Sequence, residues 1–422
     1  METVNRGKNG GSEREAAEYV QAKLQEVGVD AELYYPPGHV DRTSVVAHIE
    51  GEDRSRPSLL IHGHLDVVPV DASAWRVPPF SGEIEKDEFK QDCLWGRGAV
   101  DMKDMDAMTL AVIREMARSG VRPPRNLVLA FLADEEDGGQ LGAQWLVQQH
   151  RDLFADCALA IGEVGGFSQT IEDKRFYFIE TAEKGLAWMR VVAQGKAGHG
   201  SMATDENPVV ALARAIARVG DYRFPIKLTA TVRKFLENVS DVLGLELDVK
   251  NPEPMIAQLG SIAQLIGASL RSTANPTGLR AGDKVNVIPS VAEGYIDGRF
   301  LPGDEQEFER IVDELLGHDV ERTWIFHNRA LEMDPHHEIL GVMAKALLAE
   351  DPGAVVVPYL VNAGTDAKSF AEINNMQCFG FCPLRLPAGM DFMSMFHAVD
   401  ERVPIDALRF GVRVLSTFIA NS

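Results

Sequence analysis

Residues 57–69 read PSLLIHGHLDVVP, a short apolar run that stops abruptly at His64 and Asp66. SLLI is too short for a helix of its own, and the polar HGHLD that follows marks it as a buried strand with chemistry at its end. The construction recurs downstream. NLVLAFLAD (126–134) runs into Glu135 and Glu136, and CALAIGE (157–163) stops at Glu163. Imidazoles and hard oxygen donors that follow several hydrophobic runs are what an α/β sheet presents when it binds ions at the carboxyl edge of its strands. Asp101 in WGRGAVDMKD and His397 near the end of the chain add two donors of the same kind.

Working outward, helices alternate with these strands. Residues 12–27 are predicted as an amphipathic helix, with Ala16, Val20, Leu24 and Val27 at helical spacing. A second helix follows DMKD to about residue 118, and LGAQWLVQQH gives another before CALAIGE. The alternation predicts an α/β domain with a mostly parallel central sheet. After EDKRFYFIETAEKG the order changes to strand (LAWMRVVAQG), helix (NPVVALARAIARV), strand (VAEGYIDGRF) and helix (EQEFERIVDELLG). Residues 185–330 are therefore expected to form an inserted α+β domain, with KFLENVSDVLGLEL and PMIAQLGSIAQLIGASL as extra helical material. Residues 1–184 and 331–422 make the two parts of the split domain around it. From HEILGVMAKALLAE the α/β pattern resumes, through AVVVPYLV to a last helix around ALRFGVRVLSTFIA.

The 422 residues are 45% hydrophobic, enough to bury large cores. The formal charge of −21, from 63 acidic against 42 basic side chains, disfavours binding to nucleic acid or anionic membrane. The first 30 residues lack the apolar core of a secretion signal, and no run approaches the length of a membrane span, so a cytoplasmic protein is expected. Four cysteines, Cys93, Cys157, Cys378 and Cys382, are too few for a disulfide framework and read as buried structural thiols. No nucleophile elbow, Walker sequence or dinucleotide fingerprint is present.

Carboxylates and neutral imidazoles suit Zn²⁺, and a bridging carboxylate can hold two cations about 3.5–4 Å apart. In that scheme Asp101 bridges, His64 and Glu163 complete one shell, and Glu136 and His397 complete the other. Taken singly, each acidic residue reads equally as a helix cap or a solvated loop group; the recurrence favours a site. Asp66, two residues after His64, is placed to orient that ring, with a turn cap as its alternative. Glu135 is free to take a proton while its neighbour Glu136 holds metal. His336 and His337 complete neither shell and read as surface or capping residues, and Arg385 reads as a loop residue, with binding of a carboxylate as its alternative.

HGHLDVVP, PPFSG, WGRGAVDMKD, ADEEDGG and AGHGS together resemble the M20 metallopeptidase and aminoacylase family across almost the whole chain. The resemblance implies a di-zinc catalytic domain, two Zn²⁺ per subunit with Co²⁺ or Mn²⁺ able to substitute, and an inserted lid domain that makes a homodimer. It implies the ligand roles given above, Asp66 as the residue orienting His64, and Glu135 as general base. A cis peptide bond between Asp101 and Met102 is also implied. His199 in AGHGS resembles an oxyanion-stabilising residue, acting in some members across the dimer interface. Asn286 in KVNVIPS and Arg299 in IDGRF resemble groups that bind a substrate carboxylate or the amide. Gly364 and Thr365 in GTDA resemble substrate neighbours, with a packing turn as the alternative. The family's frequent glycine after DMK is Asp104 here. Glutamate at the position of Glu163 is associated with deacylases and carboxypeptidases. The expected activity is hydrolysis of an N-acyl amino acid or short peptide bearing a free carboxylate. A dipeptidase or carboxypeptidase is the alternative, and a noncatalytic metal-binding dimeric scaffold is the alternative of another class.

Overall fold

In a computed structural model, residues 1–7 and 10–422 are described, and the chain divides into two compact units. The first comprises Met1–Thr181, Met333–Tyr359 and Thr365–Ser422; the second comprises Ala182–Glu332 and Leu360–Gly364. The short segment 360–364 was not part of the expected insertion. It places Gly364 in the second unit and Thr365 in the first.

The first unit is built on a sheet ordered Ala31–Tyr34, Ser44–Ile49, Leu127–Leu132, Ser58–His64, Cys157–Gly162, Gln377–Gly380, Lys174–Glu183. The four strands from Leu127–Leu132 to Gln377–Gly380 run parallel. Both flanks are antiparallel. The expected mostly parallel sheet is therefore corrected to a mixed one. Parallel neighbours need long crossovers, and the outer strands are joined instead by short turns, as between Phe167–Ile171 and Lys174–Glu183. The parallel strands are buried along nearly their whole length, which is why SLLI and LVLAFL are continuous apolar runs without alternation.

Helices Arg14–Gln25, Lys103–Ser119, Glu338–Glu350 and Ile405–Asn421 pack in a connected layer. Lys103–Ser119 turns Met105, Met108, Val112 and Ile113 inward and stops at Gly120, whose φ of 68° gives the left-handed cap that favours glycine. All four cysteines are buried, and no disulfide joins them among the described residues. His337 caps the helix Glu338–Glu350, its Nδ1 accepting from Ile339 N at 3.2 Å, and the Arg385 guanidinium lies over the Phe410 ring.

The second unit holds a four-stranded antiparallel sheet ordered Thr273–Ala281, Val291–Phe300, Gly185–Gln194, Val320–Asn328. Helices Pro208–Asp221 and Glu305–Leu316 cover it around a core that includes Met189, Val191, Leu212, Ile296 and Phe308. Of the extra helical material, Phe235, Leu236, Ile256 and Ile266 are all buried, so these apolar faces are consumed in packing. Among the described residues, no helix is long and apolar enough to cross a membrane.

Candidate metal centre

Three parallel strands deliver the donors of the first unit. Ser58–His64 ends on His64, Leu127–Leu132 leads through Ala133 and Asp134 to Glu135 and Glu136, and Cys157–Gly162 is followed directly by Glu163. Adjacent parallel strands point their ends the same way, so their last residues converge at one edge. Gly63 is required by a close approach: a Cβ there would meet Asp106 Oδ1 at 2.3 Å. Asp101 arrives from the loop before Lys103–Ser119, and His397 from the loop after Met393–Met395. The Asp101–Met102 peptide bond is cis.

The two oxygens of Asp101 face different histidines. Oδ1 lies 3.0 Å from His64 Nε2, and Oδ2 lies 3.2 Å from His397 Nε2. His64 Nε2 is also 3.6 Å from Glu163 Oε2, while His397 Nε2 is 3.1 Å from Glu136 Oε2. Two donor groups thus share one carboxylate. Glu135 Oε2 stands 4.0 Å from His64 Nε2, farther than Asp101 and Glu163, though it falls within 4.8 Å of both His64 and Glu163 donor atoms. His64, Asp101 and Glu163 are buried, whereas the His397 side chain is 57% exposed, leaving the centre open on that side.

The electrostatics test whether cations fit. Four carboxylates crowd two imidazoles, and like charges in a poorly hydrated place oppose ionisation. Burial, followed by the charge of Glu163, holds Glu135 well above the usual carboxylate range. Burial and the charge of Asp101 push Glu136 to about 7. Hydrogen bonds to Asp101 and Glu136 raise His397 to about 10. Glu136 Oε1 is buried without a hydrogen-bond partner among the described residues. Divalent cations would discharge this repulsion and satisfy that oxygen, so the donor set fits two of them.

Asp66 sits differently from the expectation. His64 Nδ1 lies 3.0 Å from the main-chain oxygen of Asp66 but 3.5 Å from its carboxylate, too long for a direct hydrogen bond. The carboxylate instead accepts from the amides of Glu135 (3.2 Å) and Glu136 (3.1 Å) and from Asn5 Nδ2 (2.8 Å). One residue thereby holds the ring with its backbone and the Glu135–Glu136 turn with its side chain.

Sequence reasoning missed several supporting groups. Glu401 is wholly buried and accepts from Arg97 Nη1 (2.6 Å) and from the amides of Gly98 (3.0 Å), Val100 (2.7 Å) and Asp101 (3.2 Å). Arg97 Nη2 in turn donates to the His397 carbonyl at 3.2 Å. The pair fastens the Asp101 loop to the His397 loop, 300 residues apart in the chain. An acidic residue four places after His397 was the available signal. Asp366, in the same GTDA segment as Thr365, is buried, and burial holds its carboxyl well above the usual range. Asp104 opens the helix as expected but is buried, and burial lifts it to about 7.

The remaining singled-out residues lie as follows. Thr365 Oγ1 accepts from Ala367 N at 3.1 Å, at the start of the four-residue helix Ala367–Phe370. In the second unit, His199 and Asn286 are brought together by a two-stranded ribbon in which His199 pairs with Val287 and Gly200 N donates to Asn286 O at 2.8 Å. His199 is exposed, with Nδ1 2.8 Å from Ser201 Oγ. Arg299 is not a free cation: it grips Asp297 through Nε (2.6 Å) and Nη2 (3.0 Å) and lies over the Trp188 ring.

A strand-end histidine and carboxylates divided around a shared aspartate are a donor set of the kind metal-dependent hydrolases use. Residues 60–421 match the sequence model of Peptidase family M20/M25/M40, and the chain belongs to that family of hydrolases. It is 25% identical over 427 residues to the N-fatty-acyl-amino acid synthase/hydrolase PM20D1 of Xenopus tropicalis, covering 97% of this chain and 80% of that protein. It is 27% identical over 391 residues to a probable carboxypeptidase S-like 2 of Dictyostelium discoideum, covering 86% and 71%. Among solved structures, the M20 family metallo-carboxypeptidase Sso-CP2 from Sulfolobus solfataricus superposes with a TM-score of 0.74 at 20% identity, covering 99% of this chain and 96% of that one, a likeness of fold.

Proposed function

We propose that the protein hydrolyses the amide bond of an N-acyl amino acid or short peptide that bears a free carboxylate. The observation that carries the reading is the split of Asp101 between His64 and His397, with Glu135 beside His64 but farther from its Nε2 than Asp101 and Glu163 are. His64, Asp101 and Glu163 would hold one cation, and Asp101, Glu136 and His397 the other. Zn²⁺ suits these N and O donors, and Co²⁺ or Mn²⁺ the same shell. When bound, such cations polarise a carbonyl and lower the pKa of water.

The residues of the chain carry the proton traffic. Glu135 takes a proton from the attacking water as its oxygen adds to the amide carbon. It returns that proton to the nitrogen as the C–N bond breaks, so the leaving group departs as a neutral amine. Asp66 keeps Glu135 in place through its main-chain amide. By the motifs they share with the family, His199 would steady the oxyanion and Asn286 and Arg299 the substrate carboxylate or amide. Gly364 and Thr365 would be substrate neighbours. Arg299 would take a substrate carboxylate by sharing or exchanging Asp297. A homodimer through the second unit belongs to the same proposal and is read by solution mass.

Glu163 and the acyl-amino-acid activity in the name of the PM20D1 relative support deacylation; the carboxypeptidase S-like relative supports the peptidase reading. The test is amine release from matched N-acyl amino acids and dipeptides by the zinc-loaded protein, with Glu135→Ala as control. Faster release from acyl amino acids supports deacylation, and faster release from dipeptides replaces it with the peptidase reading. Wild-type turnover no greater than that of Glu135→Ala overturns both.

A further inference from the structure

Glu305 and Glu309 lie four residues apart in the first two turns of the helix Glu305–Leu316, so they share one face. The strand Val320–Asn328 packs beside that helix and carries His327, paired in register with Ala187. His327 Nε2 lies 3.5 Å from Glu305 Oε1 and 3.4 Å from Glu309 Oε1, and all three donor atoms fall within 4.8 Å of one another. All of these residues belong to the second unit.

The separations discriminate between two kinds of contact. An N–H···O bond to a carboxylate closes to about 2.7–2.9 Å. Two donors on one tetrahedral Zn²⁺, with bonds of about 2.0–2.1 Å, stand about 3.3–3.4 Å apart. The two distances from His327 Nε2 match the second case. His327 Nε2 is itself shut off from solvent with no hydrogen-bond partner among the described residues, although its ring points this nitrogen toward two carboxylates. A buried acceptor or donor left so costs about 1–3 kcal/mol unless something fills the gap.

The surroundings are built to hold these donors still. The His327 ring stacks on Phe300 at 5.7 Å and touches Trp324 at 4.5 Å, which fixes its plane. Arg322, over the same Trp324, donates to Glu309 Oε2 at 3.0 Å and so leaves Oε1 directed at His327. Such outer contacts orient metal ligands. The side chains of His327, Glu309 and Glu305 are 24%, 31% and 43% exposed, which gives an ion a way in and leaves room for water to complete its shell.

We propose that Glu305, Glu309 and His327 form a third divalent-cation site, of Zn²⁺ type, that staples the helix Glu305–Leu316 to the strand Val320–Asn328. It is separate from the Asp101 centre and does not rest on the reading of that centre. A one-nitrogen, two-oxygen shell completed by water suits a borderline ion and is poor for the harder Ca²⁺, which takes six to eight oxygens.

The test is zinc stoichiometry of the full-length protein, equilibrated with free Zn²⁺ and read by elemental analysis, beside an anomalous difference map at the zinc edge. The expected result is one Zn²⁺ more in the wild type than in either His327→Gln or Glu309→Gln. A His64→Ala variant should retain that additional ion. In the map, a peak is expected about 2.0–2.1 Å from His327 Nε2. Equal stoichiometry in wild type and both variants, or a map without a peak at Nε2, would overturn the proposal. Should His327→Gln fail to fold, the wild-type map decides alone. The zinc-induced rise in melting temperature provides a second readout, expected to shrink in Glu305→Gln and overturning the staple if unchanged.

Discussion

Glu401 offers the sharpest test of how the centre is held. Each of its oxygens accepts two bonds: Oε2 from Arg97 Nη1 and Gly98 N, Oε1 from Val100 N and Asp101 N. In Glu401→Gln the shape survives, but only one end of the amide accepts. Whichever way it sits, two donors face an NH₂ group. At about 1–3 kcal/mol for each buried donor left unpaired, the loss is about 2–6 kcal/mol. Glu401→Ala also strands the Arg97 charge, for which breaking a buried pair costs about 3–5 kcal/mol. Against a typical total of about 5–15 kcal/mol, the glutamine variant should fold and the alanine variant should be marginal. Because the same contacts fasten the Asp101 and His397 loops, the glutamine variant should also lose about 10–100-fold in metal affinity. Thermal unfolding of the metal-free protein and zinc competition with a chromophoric chelator measure the two effects. A Glu401→Gln protein that melts within about 2 °C of wild type and binds zinc equally well would refute the reasoning.

Three further outcomes are expected. Asp66→Asn should keep His64 oriented through the main-chain oxygen yet loosen the Glu135–Glu136 turn, lowering turnover more than zinc affinity; an unchanged rate with wild-type stability would contradict the assigned contacts. Glu135→Gln should retain metal stoichiometry and lose about 10²–10⁴-fold in kcat, measured by amine release, and a loss of metal instead would make Glu135 a ligand. Zinc binding should expel protons, because His397 is raised to about 10 and His64, despite its burial, is raised well above its ordinary value by Glu163, Asp101 and Asp66. His397 is protonated at neutral pH and must be neutral as a ligand, and Glu136, pushed up to about 7, must be ionised, so at least one proton should appear in an indicator titration at pH 7, and affinity should climb as pH rises. The sign for stability is opposite. A raised His397 favours the metal-free fold fully below about pH 6.5, and that contribution disappears as pH rises through about 10.

Four of the six candidate groups were legible in the sequence because each follows its strand, whereas Asp101 and His397 come from loops. A buried parallel strand is a continuous apolar run, and the first polar residues after it sit at the ligand edge; His64, Glu135, Glu136 and Glu163 all follow that rule. The mixed sheet was not legible, since an apolar run has the same appearance whether its neighbour is parallel or antiparallel. Glu401 and Asn5 escaped for a different reason. Their work is to accept from or donate to groups 61 and 300 or more residues away, a partnership that leaves no periodic trace. Asp66 shows the limit most plainly: spacing placed it beside His64, but which of its oxygens meets the ring depends on a 0.5 Å difference between 3.0 and 3.5 Å. Spacing can recruit a residue to a centre, whereas its role there is decided by which donors the fold brings to each lone pair. The Glu305, Glu309 and His327 cluster follows the same logic. The i, i+4 glutamates are ordinary on a solvated helix, and only the packing of Val320–Asn328 against that helix turns them toward an imidazole.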